Sequence, residues 1–396
     1  MSLIHGLLVA IALLCAVPSA TLLLQALAAR PRGGNALRRS AGSGPRPRLA
    51  VLVPAHDEAA GLPATLASIR AQLLAGDRLL VVADNCTDDT AAVARAAGAS
   101  VVERRDPSRR GKGYALDFGV RALERDGDAP EVVVVVDADC LLDGSSLDAL
   151  SQAAISCRAP CQAAYVMQPP SGATLQQRIS AFAWIVRNIA RPAGSSRLGW
   201  PVQLMGTGMG FLWPLMRKAP LASGHLVEDL ELGIALAIDG TPPRFVDEAG
   251  VRSTFPTDAA AAAAQRTRWE HGHVALIAHG VPRLLKAALS QRRPELIAMA
   301  LDLAVPPLAS LVAALVGVFA FALVPGLVDG RWTAAWIAVS ALGAVALAIA
   351  IAWRRFARTV VSAADLAQVP AYVAAKLPMY LRLFVRRQTA WIRTRR

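Results

Sequence analysis

Three long stretches of this chain carry almost no polar residues. Leu3 to Ala29 is interrupted only by His5, Ser19, Thr21 and Gln25, a second stretch runs from about Leu303 to Leu327, and a third from Trp332 to Trp353. At 1.5 Å per residue each is long enough to cross a hydrocarbon core of roughly 30 Å. The region between the first and second has a different rhythm. Leu49–Pro54, Asp77–Asp84, Ser100–Glu103 and the valine run beginning at Val132 read as buried strands. Helices are predicted between them, over about 59–75 with Pro63 near the first turn, 87–97 with Asp88 and Asp89 favouring its positive end, and from the Arg-rich loop 104–113 to about Arg125. Such alternation predicts an α/β unit with a parallel, doubly wound sheet. Beyond Leu141 the pattern loosens. Helices are predicted over 174–190, over 228–238 with a stop at Gly240, and over 258–279, closed by Gly280 and Pro282.

The 396 residues are 54% apolar, with a mean hydropathy of +0.40 that the three apolar stretches explain. A net charge of +13 would suggest nucleic acid in a soluble protein. Here the surplus flanks the apolar stretches or sits in the tail, so anionic lipid headgroups are the simpler partner and no nucleic acid is expected. No Lys or Arg precedes the first stretch, whereas Arg30, Arg32, Arg38, Arg39, Arg46 and Arg48 follow it. That asymmetry fits an uncleaved anchor with the next domain in the cytoplasm, despite a cleavage-like Ala16–Ala20. The short Pro325–Arg331 link then forms an external hairpin, and Arg354, Arg355 and Arg358 return to the cytoplasmic side. The tail from Lys376 to Arg396 is expected to form a basic amphipathic helix. Five cysteines without a CxxC pair or a histidine cluster argue against zinc.

Several polar segments follow the predicted strands. Asp137 and Asp139 end the valine run, Asp84 ends the second strand, and His56, Asp57 and Glu58 follow the first. Arg109, Arg110 and Lys112 occupy a glycine-flanked loop. Open α/β sheets bind ligands at the carboxyl ends of their strands, so these groups are expected at one edge. Two carboxylates there suit Mg2+ or Mn2+ held together with substrate phosphates. Glu228-Asp229 offers carboxylates at a helix start, and Gln265–Trp269 offers arginines for phosphate and an indole for a sugar face. Each segment alone has an ordinary structural explanation, such as helix capping or a membrane-facing basic helix. Neither GxGxxG nor GxxxxGK[ST] is present, which disfavours dinucleotide and phosphate-loop NTPase folds.

VPAHDE, ADNCTDDT, RRGKGYAL, VVDADC, GTGM, VEDLELG and QRTRW, in this order over about 48–280, resemble a membrane-bound family 2 glycosyltransferase. That group includes cellulose, chitin and hyaluronan synthases and many bacterial exopolysaccharide enzymes. The resemblance implies a GT-A domain, a nucleotide-diphosphate sugar donor (a UDP-sugar foremost) and a divalent metal. It implies that Glu58 and Asp84 contact the nucleoside, with Lys112 nearby, and that Asp137 and Asp139 hold the diphosphate through the metal. Asp229 would be the general base, while Gln265, Arg268 and Trp269 would line the diphosphate and the acceptor end. The expected organisation is a transmembrane helix over 1–29, a basic linker over 30–48 and a cytoplasmic GT-A domain over 49–280. A connecting segment over 281–302, spans over 303–327 and 332–353, and a tail over 354–396 complete it.

Asp57 stands where many relatives carry Asn, and Asn85-Cys86 replaces a commoner Gly-Ser, which bears on base recognition and not on reaction class. Three spans are few for a polymer channel. The expectation is therefore inverting transfer of a hexosyl or N-acetylhexosaminyl group to a lipid-linked or polysaccharide acceptor at the inner membrane, in cell-surface or exopolysaccharide synthesis. Export subunits are possible partners. A processive synthase and a catalytically inactive nucleotide-sugar sensor are the alternatives. A channel fits poorly, because no charged residue lies within the cores of the spans.

Overall fold

The computed structural model describes residues 2–31, 46–224, 227–255, 259–369 and 371, with the side chains of 259–264 and 266 outside that description. Most of the 30–48 linker and the whole 376–396 tail lie outside the described residues.

After helix α1 (Ser2–Ala28), the chain alternates as β1 (Leu49–Ala55), α2 (Leu62–Arg70), β2 (Arg78–Asp84), α3 (Thr90–Ala96), β3 (Ser100–Arg104), α4 (Lys112–Arg125) and β4 (Val132–Val135). Then come β5 (Leu141–Leu142), α5 (Ser146–Cys157), β6 (Cys161–Gln168), α6 (Leu175–Ile185), a π-helical turn at Val186–Ala190 and α7 (Arg191–Arg197). β7 (Met209–Leu212), α8 (Trp213–Lys218), α9 (Glu228–Ile238) and β8 (Arg244–Thr254) complete the α/β unit. α10 (Ala259–Gln291) and α11 (Pro294–Leu303) lead to α12 (Leu308–Asp329), α13 (Thr333–Ala352) and, after a second π-helical turn, α14 (Ala363–Ala367).

The sheet has eight strands in the order β3-β2-β1-β4-β7-β6-β8-β5. β3, β2, β1 and β4 are parallel neighbours, with Val53 beside Val81 and Leu52 beside Val135. The fully parallel sheet expected from the alternation ends there, because β7 pairs antiparallel with both β4 and β6. The cause is visible in the chain: strict strand–helix alternation stops at Leu141, and β7 is entered from a long helical excursion that returns it in the opposite direction. All four valines of β4 are buried, since both faces of the sheet are covered.

Two helix boundaries differ from the sequence pattern. α10 runs through Gly280 and Pro282 to Gln291. A side chain at Gly280 would press on Leu303 and Ile234, so this glycine serves close packing against α9 and α11 instead of ending the helix. Burial of Leu276, Leu284 and Ala288 against Leu296, Met299 and Leu303 offsets the hydrogen bond that Pro282 removes. The second apolar stretch begins at Leu308 and not at Leu303, because Pro306-Pro307 separates it from α11.

Among the described residues, three helices are long and apolar enough to cross a membrane: Leu3–Ala28, Leu308–Asp329 and Thr333–Ala357. They pack as one bundle, with Leu8 against Ala322, Ala334 and Ala335 at one end and Leu22 among Leu311, Leu315, Val345 and Ala348 toward the other. Arg355 donates to the carbonyls of Ala26, Leu27 (2.9 Å each) and Ala29, capping the end of α1 that adjoins the α/β unit.

A buried polar knot ties the bundle to the α/β unit. Gln25 on α1 is fully buried and donates to Asp302 (2.6 Å) and Ser195 (2.9 Å), while Arg191 donates to the Asp302 carboxylate at 2.8 Å. A side chain at Gly194 would collide with the Gln25 carbonyl, so this glycine lets α1 and α7 touch backbone to backbone. Asp302→Ala leaves the Arg191 guanidinium buried without its anion, at an expected cost of about 3–5 kcal/mol. Thermal unfolding in detergent measures it. Asp365→Ala, which cuts the partly exposed ion pair to Arg178 (2.8 Å), should shift the midpoint far less.

Candidate active site

The carboxyl ends of β1, β2 and β4 lie side by side, as their register requires. Glu58, Asp84, Lys112, Asp137, Asp139, Asp229, Gln265, Arg268 and Trp269 all line one cleft there, together with His56 and Arg110, whereas Asp57 and Arg109 are not in its lining. Three of them come from α10, where positions 265, 268 and 269 have the i, i+3, i+4 spacing that places side chains on one helix face.

The β1 and β2 loops are tied by short polar contacts. Asp57 and Asn85 both adopt positive φ (54° and 52°), a conformation that Asn and Asp tolerate better than most residues. The Asp57 carboxylate accepts the Thr87 amide at 2.5 Å and the Asp88 amide at 3.2 Å, and these bonds hold its pKa below the ordinary value against the opposing effect of burial. Asp57 is therefore a loop brace. Asp84 is buried and accepts from Arg104 at 2.6 Å and from Asn85 at 3.0 Å. Arg104 carried no signal in the sequence beyond its place in a basic loop.

Lys112 is the hub. Its ammonium pairs with Asp137 and donates to the Gly206 carbonyl at 2.8 Å. Burial alone would lower its pKa, but Asp137, Glu228 and Asp229 outweigh that and raise it. Gly206 has φ +86°, and a side chain there would enter the gap between Lys112 and Asp229, each 3.4 Å from the added carbon. Thr207 accepts the Asp137 amide at 3.1 Å, so the GTGM segment shapes the carboxylate platform.

Asp137, Asp139 and Cys140 bring ligand atoms within 4.8 Å of one another. Burial, then the charges of Asp139 and Asp137, push the Cys140 thiol well above its usual range. It stays protonated, and the two carboxylates are the donors suited to a hard cation. Asp57, Cys86 and Asp88 form a second such group, but the Asp57 and Asp88 carboxylates are engaged with loop amides and hydroxyls. This second group fits a structural role.

Glu228 and Asp229 open α9 and face the same cleft. Burial, then the adjacent Asp229 charge, raises Glu228 to about 7, and burial also raises Asp229 against the pull of Lys112 and Arg187. Asp229 works as a base only when deprotonated, and burial raises its pKa, so the acid limb of activity should lie above the ordinary carboxylate range. Glu228→Gln removes a like charge and should move that acid limb to lower pH, as a kcat/KM–pH profile would show.

The cleft also holds groups that the sequence did not single out: Arg187, within the helix predicted over 174–190, Asn188, Gln203 and His273. Trp269 leans on Trp184, with ring centroids 5.0 Å apart, and the Trp184 indole donates to the Tyr165 carbonyl at 3.0 Å. The positions of Arg187 and His273 became legible only once the π-helical turn and α10 had been placed.

A family model described as "Glycosyltransferase like family 2" matches residues 45–272, more than half of the chain. Uncharacterised glycosyltransferases of Mycobacterium tuberculosis and Mycobacterium bovis are 42% identical over 100 residues, which is 25% of this chain and 40% of theirs. The aligned segment thus spans less than half of those relatives. Among solved structures, a mannosyltransferase from Pyrobaculum calidifontis, determined with GDP-Man and Mn2+, superposes with a TM-score of 0.51 at 20% identity. That match covers 86% of this chain and 98% of the archaeal one, and it concerns the fold. With the family model spanning the sheet, the cleft and the start of α10, this chain belongs to glycosyltransferase family 2 and has the GT-A fold of that family.

Proposed function

We propose that the protein is an inverting, metal-dependent membrane glycosyltransferase. It moves a sugar from a nucleotide-diphosphate donor, a UDP-sugar foremost, to a hydroxyl of a lipid-linked or polysaccharide acceptor at the inner membrane. The observation that carries this reading is the convergence of two carboxylates, an ammonium and a buried carboxylate pair around Gly206. In the reaction the acceptor oxygen bonds to the anomeric carbon as the bond to the diphosphate breaks, and the electron pair leaves with the nucleoside diphosphate. Asp229 takes the acceptor proton. Lys112 and Arg268 face the leaving diphosphate and offset its growing charge. Glu58 and Asp84 flank the nucleoside, Asp84 being oriented by Arg104. Asp137 and Asp139 would hold Mg2+ or Mn2+, which neutralises diphosphate charge when bound. One base and a single in-line displacement give inversion.

The basic residues after α1 and after α13 support a cytoplasmic catalytic unit, and the proposed role is in cell-surface or exopolysaccharide synthesis. The neighbour solved with GDP-Man extends the range of donors worth testing to guanosine sugars. Full-length protein in detergent, incubated with UDP- and GDP-sugars and native membrane lipid extract, should release nucleoside diphosphate from one donor in a metal-dependent way. Absence of release from every donor would favour the sensor alternative.

A further inference from the structure

The interior end of the cleft is polar, buried and incompletely satisfied. His273 is 4% exposed and its Nε2–H donates to the Leu303 carbonyl at 3.2 Å, which leaves Nδ1 as a lone-pair acceptor without a partner among the described residues. Asn188, 3% exposed, has an unpartnered amide nitrogen, and the Gln203 side-chain oxygen is likewise unmatched. Arg187 lines the same space, repelled by Arg191 and drawn to Asp229, with no hydrogen bond or ion pair among the described residues. Buried groups of this kind are normally satisfied, so an unpartnered cation beside an amide donor and two acceptors points to a hydroxylated anion. Arg187 also lines a second cavity that adjoins this end. That cavity is mostly apolar, framed by Phe182, Ala183 and Val186 of α6 and the π-helical turn and by Pro307, Val312 and Ile349 at the membrane bundle, with Arg191, Glu270 and His273 also in its lining.

We propose that the two spaces form one acceptor subsite for a lipid whose hydroxyl-bearing head is joined to its hydrocarbon tail through a phosphate. The tail lies in the apolar groove, the phosphate meets Arg187, and the head reaches Asn188, Gln203 and His273. This inference rests on the glycosyltransferase reading and names the acceptor class for it. The hydroxyl follows from Asp229: a neutral hydroxyl needs a base to become a nucleophile, whereas a phosphate oxygen is already anionic. The lipid follows from the groove, which opens beside the spans, is walled mainly by apolar side chains, and has its cations, Arg187 and Arg191, in common with the cleft.

The test uses a diazirine-bearing hexadecyl phosphate, carried with the full-length protein in phosphatidylcholine nanodiscs and photolysed, with labelled peptides read by mass spectrometry. Labelling should concentrate on peptides containing Phe182–Val186 and Pro307–Val312. Arg187→Gln should reduce it at least tenfold, as should Val312→Phe, which fills the groove without touching a charge. The matching diazirine hexadecanol should label these peptides no more than other lipid-facing residues. Equal labelling by the alcohol, or undiminished labelling of Arg187→Gln, would overturn the proposal. Displacement by millimolar inorganic phosphate would overturn the lipid source and point to a soluble phosphate. Metal-dependent nucleoside diphosphate release, measured on nanodiscs that carry native membrane lipid extract as acceptor source, separates the two readings: release without groove labelling defeats this inference alone, and absence of release from every donor defeats the transferase.

Discussion

Asp229→Asn should lower kcat by about 10^3-fold, within the range that general base catalysis typically supplies. Asparagine keeps the shape and the hydrogen-bonding capacity of the side chain but cannot take a proton. Lys112 keeps Asp137 and Glu228 as counter-charges in the variant, so the donor platform should survive. Nucleoside diphosphate affinity is therefore expected to change little while turnover collapses. Rapid-quench measurement of a single turnover isolates this step from product release. The double variant with Glu228→Gln is the control for a neighbouring carboxylate standing in as base. A kcat within threefold of wild type in both variants would remove Asp229 from the proton-transfer role.

The second large effect is expected at Asp139. Asp137 is engaged with Lys112, so its removal would disturb both a candidate metal ligand and the ammonium. Asp139 accepts a weak bond from the Cys140 thiol at 3.3 Å. Asp139→Ala should therefore weaken Mn2+ binding with the least collateral change. Charge neutralisation by a bound divalent ion contributes several kcal/mol to displacement of a diphosphate, so turnover should drop by about 10^3-fold. Mn2+ titration followed by electron paramagnetic resonance measures affinity independently of activity. Cys140→Ala should leave that affinity nearly intact, because a hard cation prefers the two carboxylates to a sulfur donor. Retained Mn2+ stimulation in Asp139→Ala would move the metal to another set of ligands.

The chemistry at the strand ends was legible because it is local. A run of valines ending in Asp-Ala-Asp announces a buried strand and its carboxyl terminus together, and parallel pairing then brings Asp84 and Asp137 to one edge. The i, i+3, i+4 placement of Gln265, Arg268 and Trp269 likewise needs only helical geometry. The mixed half of the sheet was not legible, since Met209–Leu212 is too short and too glycine-rich to declare its direction. The end of α10 was misread for a related reason. Gly280 and Pro282 break an isolated helix, but packing of Leu276 and Leu284 on α9 and α11 overrides that preference.

Linear order carries period, charge sign and residue chemistry, so three apolar spans, a nucleotide-sized crevice and its carboxylates could be read directly from the chain. Long-range closure is what those local signals lack. Gln25, Arg191 and Asp302 are separated by up to 277 positions yet share one buried knot, and Arg187 faces Asp229 only because a π-helical turn aims it inward. Side chains on segments far apart become neighbours through packing, and packing depends on the whole fold. The meeting of the catalytic cleft with an apolar groove beside the spans is a property of that packing.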